Sequence, residues 1–124
     1  MNVVLWIIQA LLAVTYVLVG GAKAFQPLEG LSKRMTWVHD VPVALVRFIG
    51  VAELFGAIGL ILPMVTGIAP WLTVVAAAGL ALVQVCAIIF HVSRHEARVV
   101  ASNVVLLLLA VFVLVGRVAI IPIA

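Results

Sequence analysis

The sequence predicts an all-α integral membrane protein, an antiparallel bundle of four transmembrane helices with a short amphipathic interfacial segment between the first and second. Three observations predict it. The 124 residues are 68% hydrophobic and 9% charged, too little charge to cover a water-facing surface. The apolar residues gather into four stretches, each long enough to cross a bilayer as a helix. Pro27, Pro42, Pro63 and most of the charges fall between those stretches. No low-complexity tract interrupts them, so residues 1–124 read as a single transmembrane domain.

The formal net charge of +3 and a pI near 9.8 do not point to nucleic acid. The basic residues are few and sit mostly at helix ends, where they act as topology signals. One cysteine, Cys86, rules out an intrachain disulfide, a Cys-rich metal site and dithiol exchange chemistry.

The first span is expected over about Val3 to Ala22. Small residues at its end raise the alternative of a cleaved signal peptide, but no basic stretch precedes it, so a retained helix is expected. Gln9, Ala13, Tyr16, Gly20 and Lys23 fall on one narrow helical face, a polar stripe that should point inward. Leu5, Ile8, Leu11, Val14 and Leu18 are left for lipid or packing neighbours.

Pro27 and Pro42 bracket a segment that carries Glu29, Lys33, Arg34, His39 and Asp40. Leu28, Leu31, Met35 and Val38 recur there at helical spacing. That pattern suits a short amphipathic helix in the headgroup region with Trp37 as its anchor. A lid over an intramembrane pocket is the alternative.

The second span, about Val43 to Leu62, carries Arg47 near one end and Glu53 near its middle, about 9 Å apart along the axis. A carboxyl at that depth is costly and faces protein or a water-filled cavity. Gly50, Gly56 and Ala57 allow a neighbouring helix to approach closely. Pro63 to Gly67 reads as a short turn into the third span, about Ile68 to His91. Ala77, Ala81, Gln84 and His91 share one face of that span. Ser93 to Arg98 forms a charged, solvated loop. The fourth span, about Val99 to Ile120, places Asn103, Ala110 and Arg117 at seven-residue steps.

Four spans put both termini on one side. Lys23, Lys33, Arg34, Arg47, Arg94 and Arg98 belong to the other side, against Arg117 alone on the terminal side. The bias makes the loops cytoplasmic and both termini periplasmic.

Aligned by depth, Tyr16 and Glu53 lie near the midplane and Gln84 slightly to the loop side, while Lys23, Arg47, His91 and Asn103 lie near the loop end. Polar groups on facing helices of a bundle make a candidate ligand site. Each has a plainer reading. Lys23 and Arg47 can snorkel to the interface, Tyr16, Gln84 and Asn103 can be interhelical hydrogen bonds, and His91 can be an interfacial residue. Glu53 can stay protonated and bond Tyr16 or Gln84, yet even then it is a buried titratable group. No metal or haem is expected. His91 and His95 are four apart, but no Glu-x-x-His pair and no histidine deep in a span accompanies them.

Gly20-Gly21-Ala22-Lys23 closing the first span, Arg47-Phe48-Ile49-Gly50-Val51-Ala52-Glu53-Leu54 in the second, His91 closing the third and Asn103 opening the fourth together carry a resemblance. The chain resembles the DoxX-like family of small four-helix bacterial membrane proteins. The resemblance implies a four-helix bundle in the bacterial cytoplasmic membrane. It also implies association with redox or quinone-linked processes, since the family takes its name from a subunit of a thiosulfate:quinone oxidoreductase.

The leading expectation is an accessory membrane protein that binds a lipophilic molecule such as a quinone and supports a redox-enzyme partner or a homo-oligomer. Lys23, Arg47 and His91 would meet its polar head, with Glu53 and Tyr16 as the deeper wall. The alternative is an isomerase-like enzyme with Glu53 as proton donor or acceptor, tuned by Arg47 or His91. A small-molecule transporter is a weaker third reading, because four helices offer little room for alternating access.

Overall fold

The computed structural model describes residues 1–33 and 35–120. Arg34, expected in the amphipathic segment and among the topology charges, lies outside the described residues, as do residues 121–124. The described chain is helical throughout, and four of its helices are long and apolar enough to span a membrane.

Helix α1 (Asn2–Phe25) ends where Pro27 forces the residue before it out of helical geometry; Gln26 is extended and its N–H donates to the Ala22 carbonyl at 3.0 Å. Between the long helices lie a five-residue helix α2 (Leu28–Ser32) and a 3₁₀ turn (Thr36–Asp40), in place of one continuous amphipathic helix. Their apolar residues turn inward. Leu31 and Val38 are fully buried and pack with Ala22 and Val46 under the loop end of the bundle. The segment therefore caps that end, with its charged residues Glu29, Lys33, His39 and Asp40 outward.

Helix α3 (Val43–Thr66) starts directly after Pro42, whose fixed φ suits a helix start. It does not stop at Leu62. Pro63 lies inside the helix, which runs on to Thr66 and ends at Gly67 in the left-handed conformation, φ 72°. The expected turn is displaced by four residues, and two side chains explain why the proline is tolerated. Pro63 has no N–H, so the Gly59 carbonyl one turn earlier loses its helical donor. Thr73 Oγ1, from the start of α4, donates to that oxygen at 2.9 Å. Gln9 Nε2 donates to the next carbonyl, Leu60, at 2.6 Å. The two polar groups of the terminal half thus support the backbone around Pro63.

Helix α4 (Leu72–Ser93) returns to the loop side, and a tight turn with His95 at φ 59° leads into α5 (Ala97–Val115). Helix α5 passes without interruption into a π turn (Gly116–Ile120) that carries Arg117 inward. Around the bundle the α1–α3 contact is the most extensive, followed by α4–α5 and then α3–α4, and α5 closes back on α1. The centre is filled by Leu12, Tyr16, Ala57, Leu60, Ala77, Leu80 and Val113. Val14, Leu18, Phe48, Phe55, Ile89 and Leu108 point outward, the apolar surface that a lipid environment requires. A groove of about 470 Å³ opens between α3 and α4, lined by Phe55, Gly56, Gly59, Leu62, Ala76 and Gly79 among others.

Candidate functional site

Glycine brings α1 and α3 together at the loop half of the bundle. A Cβ on Gly50 would lie 2.5 Å from the Ala24 amide nitrogen and 2.7 Å from the Gly20 carbonyl oxygen. Only a hydrogen fits there. The close approach lets Lys23 Nζ, from the last turn of α1, reach Glu53 Oε1 at 2.9 Å. Glu53 is 1% exposed, so the pair is a buried ion pair rather than a carboxyl bonded to Tyr16 or Gln84. Arg47 joins the same contact. Its Nη1 donates at 2.8 Å to the Lys23 carbonyl, one of the oxygens that the end of α1 leaves without a helical donor.

Tyr16 and Gln84 meet at the centre of the bundle. Gln84 Nε2 donates to the Tyr16 hydroxyl at 2.7 Å, joining α1 and α4 across the diagonal. The other end of that amide, Gln84 Oε1, is buried without a hydrogen-bond partner among the described residues. So is Asn103 Nδ2, on the neighbouring α5. Rotating either amide exchanges oxygen for nitrogen, and the unpartnered end remains.

His91 closes α4. Its Nδ1 lies 2.9 Å from Glu96 Oε1, and because a carboxylate only accepts, Nδ1 carries the proton in this contact. Arg94 Nε donates to the same oxygen at 2.8 Å, and Arg94 Nη1 pairs with Asp40 Oδ2 at 2.7 Å. These bonds, that from His91 first and that from Arg94 second, hold the Glu96 carboxyl below its ordinary value of 4.5. Trp37, from the 3₁₀ turn, lies edge-on to His91 and Phe90, with ring centroids 5.7 and 5.9 Å away. Lys23 Nζ sits 5.6 Å from the centre of the Trp37 ring.

A continuous path therefore leads from Glu53 in the bundle, through Lys23, Trp37, His91, Glu96 and Arg94, to Asp40 at the surface. Six of the seven residues expected at the site, Tyr16, Lys23, Arg47, Glu53, Gln84 and His91, use polar side-chain atoms toward other spans or loops. Arg47 caps α1, and Asn103 is buried but bonds none of the others. Sequence reasoning missed Trp37 as a contact of His91, and it read Glu96 as a solvated loop charge. No spacing rule links the 3₁₀ turn to α4; Leu31 and Val38 bury against Ala22 and Val46, and Trp37 and Asp40 then meet Phe90, His91 and Arg94 at the end of α4. Among the described residues no three His, Cys, Asp or Glu side chains are grouped to hold a metal ion.

Comparison with known proteins narrows the context. No curated protein and no solved structure matches the chain. The model of the DoxX-like family matches residues 7–113, a segment that holds all seven site residues. This small, multi-pass helical protein belongs to the DoxX-like family.

Proposed function

We propose that the chain is an accessory membrane protein that binds a lipophilic molecule with an oxygen-bearing polar head, of the quinone class, and supports a redox-enzyme partner. One observation carries the reading. Gln84 Oε1 and Asn103 Nδ2, an acceptor and a donor on adjacent helices, are buried without partners among the described residues. Buried polar atoms of this kind cost free energy unless something bonds them. A molecule offering carbonyl and hydroxyl groups would satisfy both, with Lys23 and His91 nearer the loop side.

The isomerase reading finds less support, since Glu53 is committed to Lys23 at 2.9 Å. The test is mass spectrometry of small molecules retained after mild detergent purification, on the native chain and on Gln84→Leu with Asn103→Leu. A quinone-type lipid retained by the native chain and lost from the folded double variant is the expected result. Equal retention by both, or no retained lipid beyond bulk phospholipid, would remove the proposal. The same proposal places the loops in the cytoplasm and the termini in the periplasm of a bacterial cell. An introduced cysteine at Asn2, in a Cys86→Ala background, should then be labelled by an impermeant reagent from outside the inner membrane. Labelling only after permeabilisation would invert the orientation.

A further inference from the structure

A second polar cluster lies at the opposite end of the bundle, and nothing in the proposed quinone site accounts for it. Arg117 is 2% exposed. Its Nε donates to Gln9 Oε1 at 2.7 Å, its Nη1 donates to Asn2 Oδ1 at 2.6 Å, and its guanidinium lies 5.4 Å from the centre of the Trp6 ring. Its Nη2 is buried with no partner among the described residues. Among the described residues every group that touches it is neutral, while an arginine keeps its charge.

The chain holds four acidic side chains. Glu53 pairs with Lys23, Asp40 and Glu96 pair with Arg94, and Glu29 stands in α2 at the loop end. Among the described residues no carboxylate is left to neutralise Arg117. A buried guanidinium without a counter-charge is costly, and charged groups held within spans mark ligand or ion sites by default.

We infer that Arg117 receives the phosphate group of a lipid headgroup or of free phosphate, through the guanidinium edge that carries Nη1 and Nη2. Depth and geometry support it. The guanidinium bonds Asn2, the first residue of α1, which runs for 24 residues, about 36 Å and longer than a hydrocarbon core of about 30 Å. The Asn2 edge of the cluster thus reaches headgroup level, while Gln9 holds the other edge about two helical turns deeper. The terminal edge of a guanidinium presents two parallel N–H donors that match two phosphate oxygens.

Gln9 is held by the Leu60 carbonyl through its nitrogen, so its oxygen stays on Nε and orients that edge. The cover is Asn2, an exposed side chain with no other hydrogen bond among the described residues. Displacing its oxygen opens Nη1 beside the unpartnered Nη2. Asn2, Trp6 and Arg117 lie outside the segment that the family model matches, and Gln9 lies inside it.

The test is titration calorimetry on the detergent-purified, delipidated protein with three probes: inorganic phosphate, dihexanoylphosphatidylglycerol, and dihexanoylglycerol, which lacks the phosphate. The native chain should bind one or both phosphate-bearing probes and not the third. Binding of both assigns the site to the phosphate group itself; binding of the lipid alone assigns it to a headgroup. Arg117→Gln should weaken binding about tenfold or more. Asn2→Asp places a competing carboxylate on Nη1 and should weaken it similarly, whereas Asn2→Ala removes the cover and should bind at least as well as the native chain. If Arg117→Gln fails to fold, the two Asn2 variants, changed at an exposed side chain, decide by their opposite signs. A native chain that binds neither phosphate probe, or binds dihexanoylglycerol equally, overturns the inference. So does an Asn2→Asp protein of native affinity.

Discussion

At the scale of single residues, the informative contact is the buried pair of Lys23 and Glu53. A carboxylate taken out of water is stabilised only if its partner and geometry offset the lost hydration, and removing one partner leaves the other charge uncompensated. Glu53→Gln is therefore expected to destabilise the folded protein by roughly 3–5 kcal/mol, measured by reversible denaturation in detergent. Pairing it with Lys23→Gln should recover part of that loss; a single variant as stable as the native chain would show that the pair contributes nothing. The depth and inward direction of Glu53 were legible in the sequence, because a carboxyl in an apolar span has few places to go. Its partner was not. Lys23 was read as a possible snorkelling residue, and only the glycine contact of Gly50 with the end of α1 brings its ammonium within 2.9 Å. Arg47 and Arg117 show the same limit. Position along a helix gave their depth, but what each guanidinium bonds depends on helix ends and a π turn that no residue pattern announced.

At the scale of elements, all four long helices were legible from apolar stretches, and their inward faces followed from helical spacing. Buried Gln9, Tyr16 and Gly20 fall on the expected stripe, as do Asn103, Ala110 and Arg117. The boundary at Pro63 was misread because a proline is a stop signal only when its orphaned carbonyl finds no other donor. Thr73→Val should remove that donor and cost about 1–3 kcal/mol in the native background. In Pro63→Ala the restored N–H can serve Gly59, so the same Thr73→Val should cost distinctly less. Equal costs in the two backgrounds would refute the compensation. Helix contacts make a second, ordered prediction. Gly50→Ala should destabilise more than Gly56→Ala, since a Cβ at 50 meets backbone atoms of Ala24 and Gly20, whereas one at 56 meets the Leu80 side chain at 2.7 Å, which can rotate. Melting temperatures of the two variants in the reverse order would place the tight interface on α4 instead of α1.

At the scale of the whole molecule, the two ends of the bundle are closed differently. Arg117 ties the terminal end from within, while the loop end is clasped from outside. Glu96 takes bonds from His91 and Arg94 within the α4–α5 turn and so holds Arg94 in place, and Arg94 reaches Asp40 in the 3₁₀ turn, the ion pair that links the α4–α5 turn to the segment that carries Trp37. Because those bonds hold the Glu96 carboxyl below 4.5, its contribution is present above that value and is lost as pH falls through the lower, folded value. The clasp should stay closed from neutral pH down past 4.5 and open only in more acidic solution. Trp37 fluorescence, isolated by Trp6→Phe and Trp71→Phe, reports the opening through the ring's contact with His91 and Phe90. Arg94→Ala removes the link to Asp40 itself and should give the open-state Trp37 fluorescence already at neutral pH. A native midpoint at or above 4.5 would contradict the clasp, and one near the ordinary histidine range, about 6.5, would assign the change to an imidazole instead of Glu96.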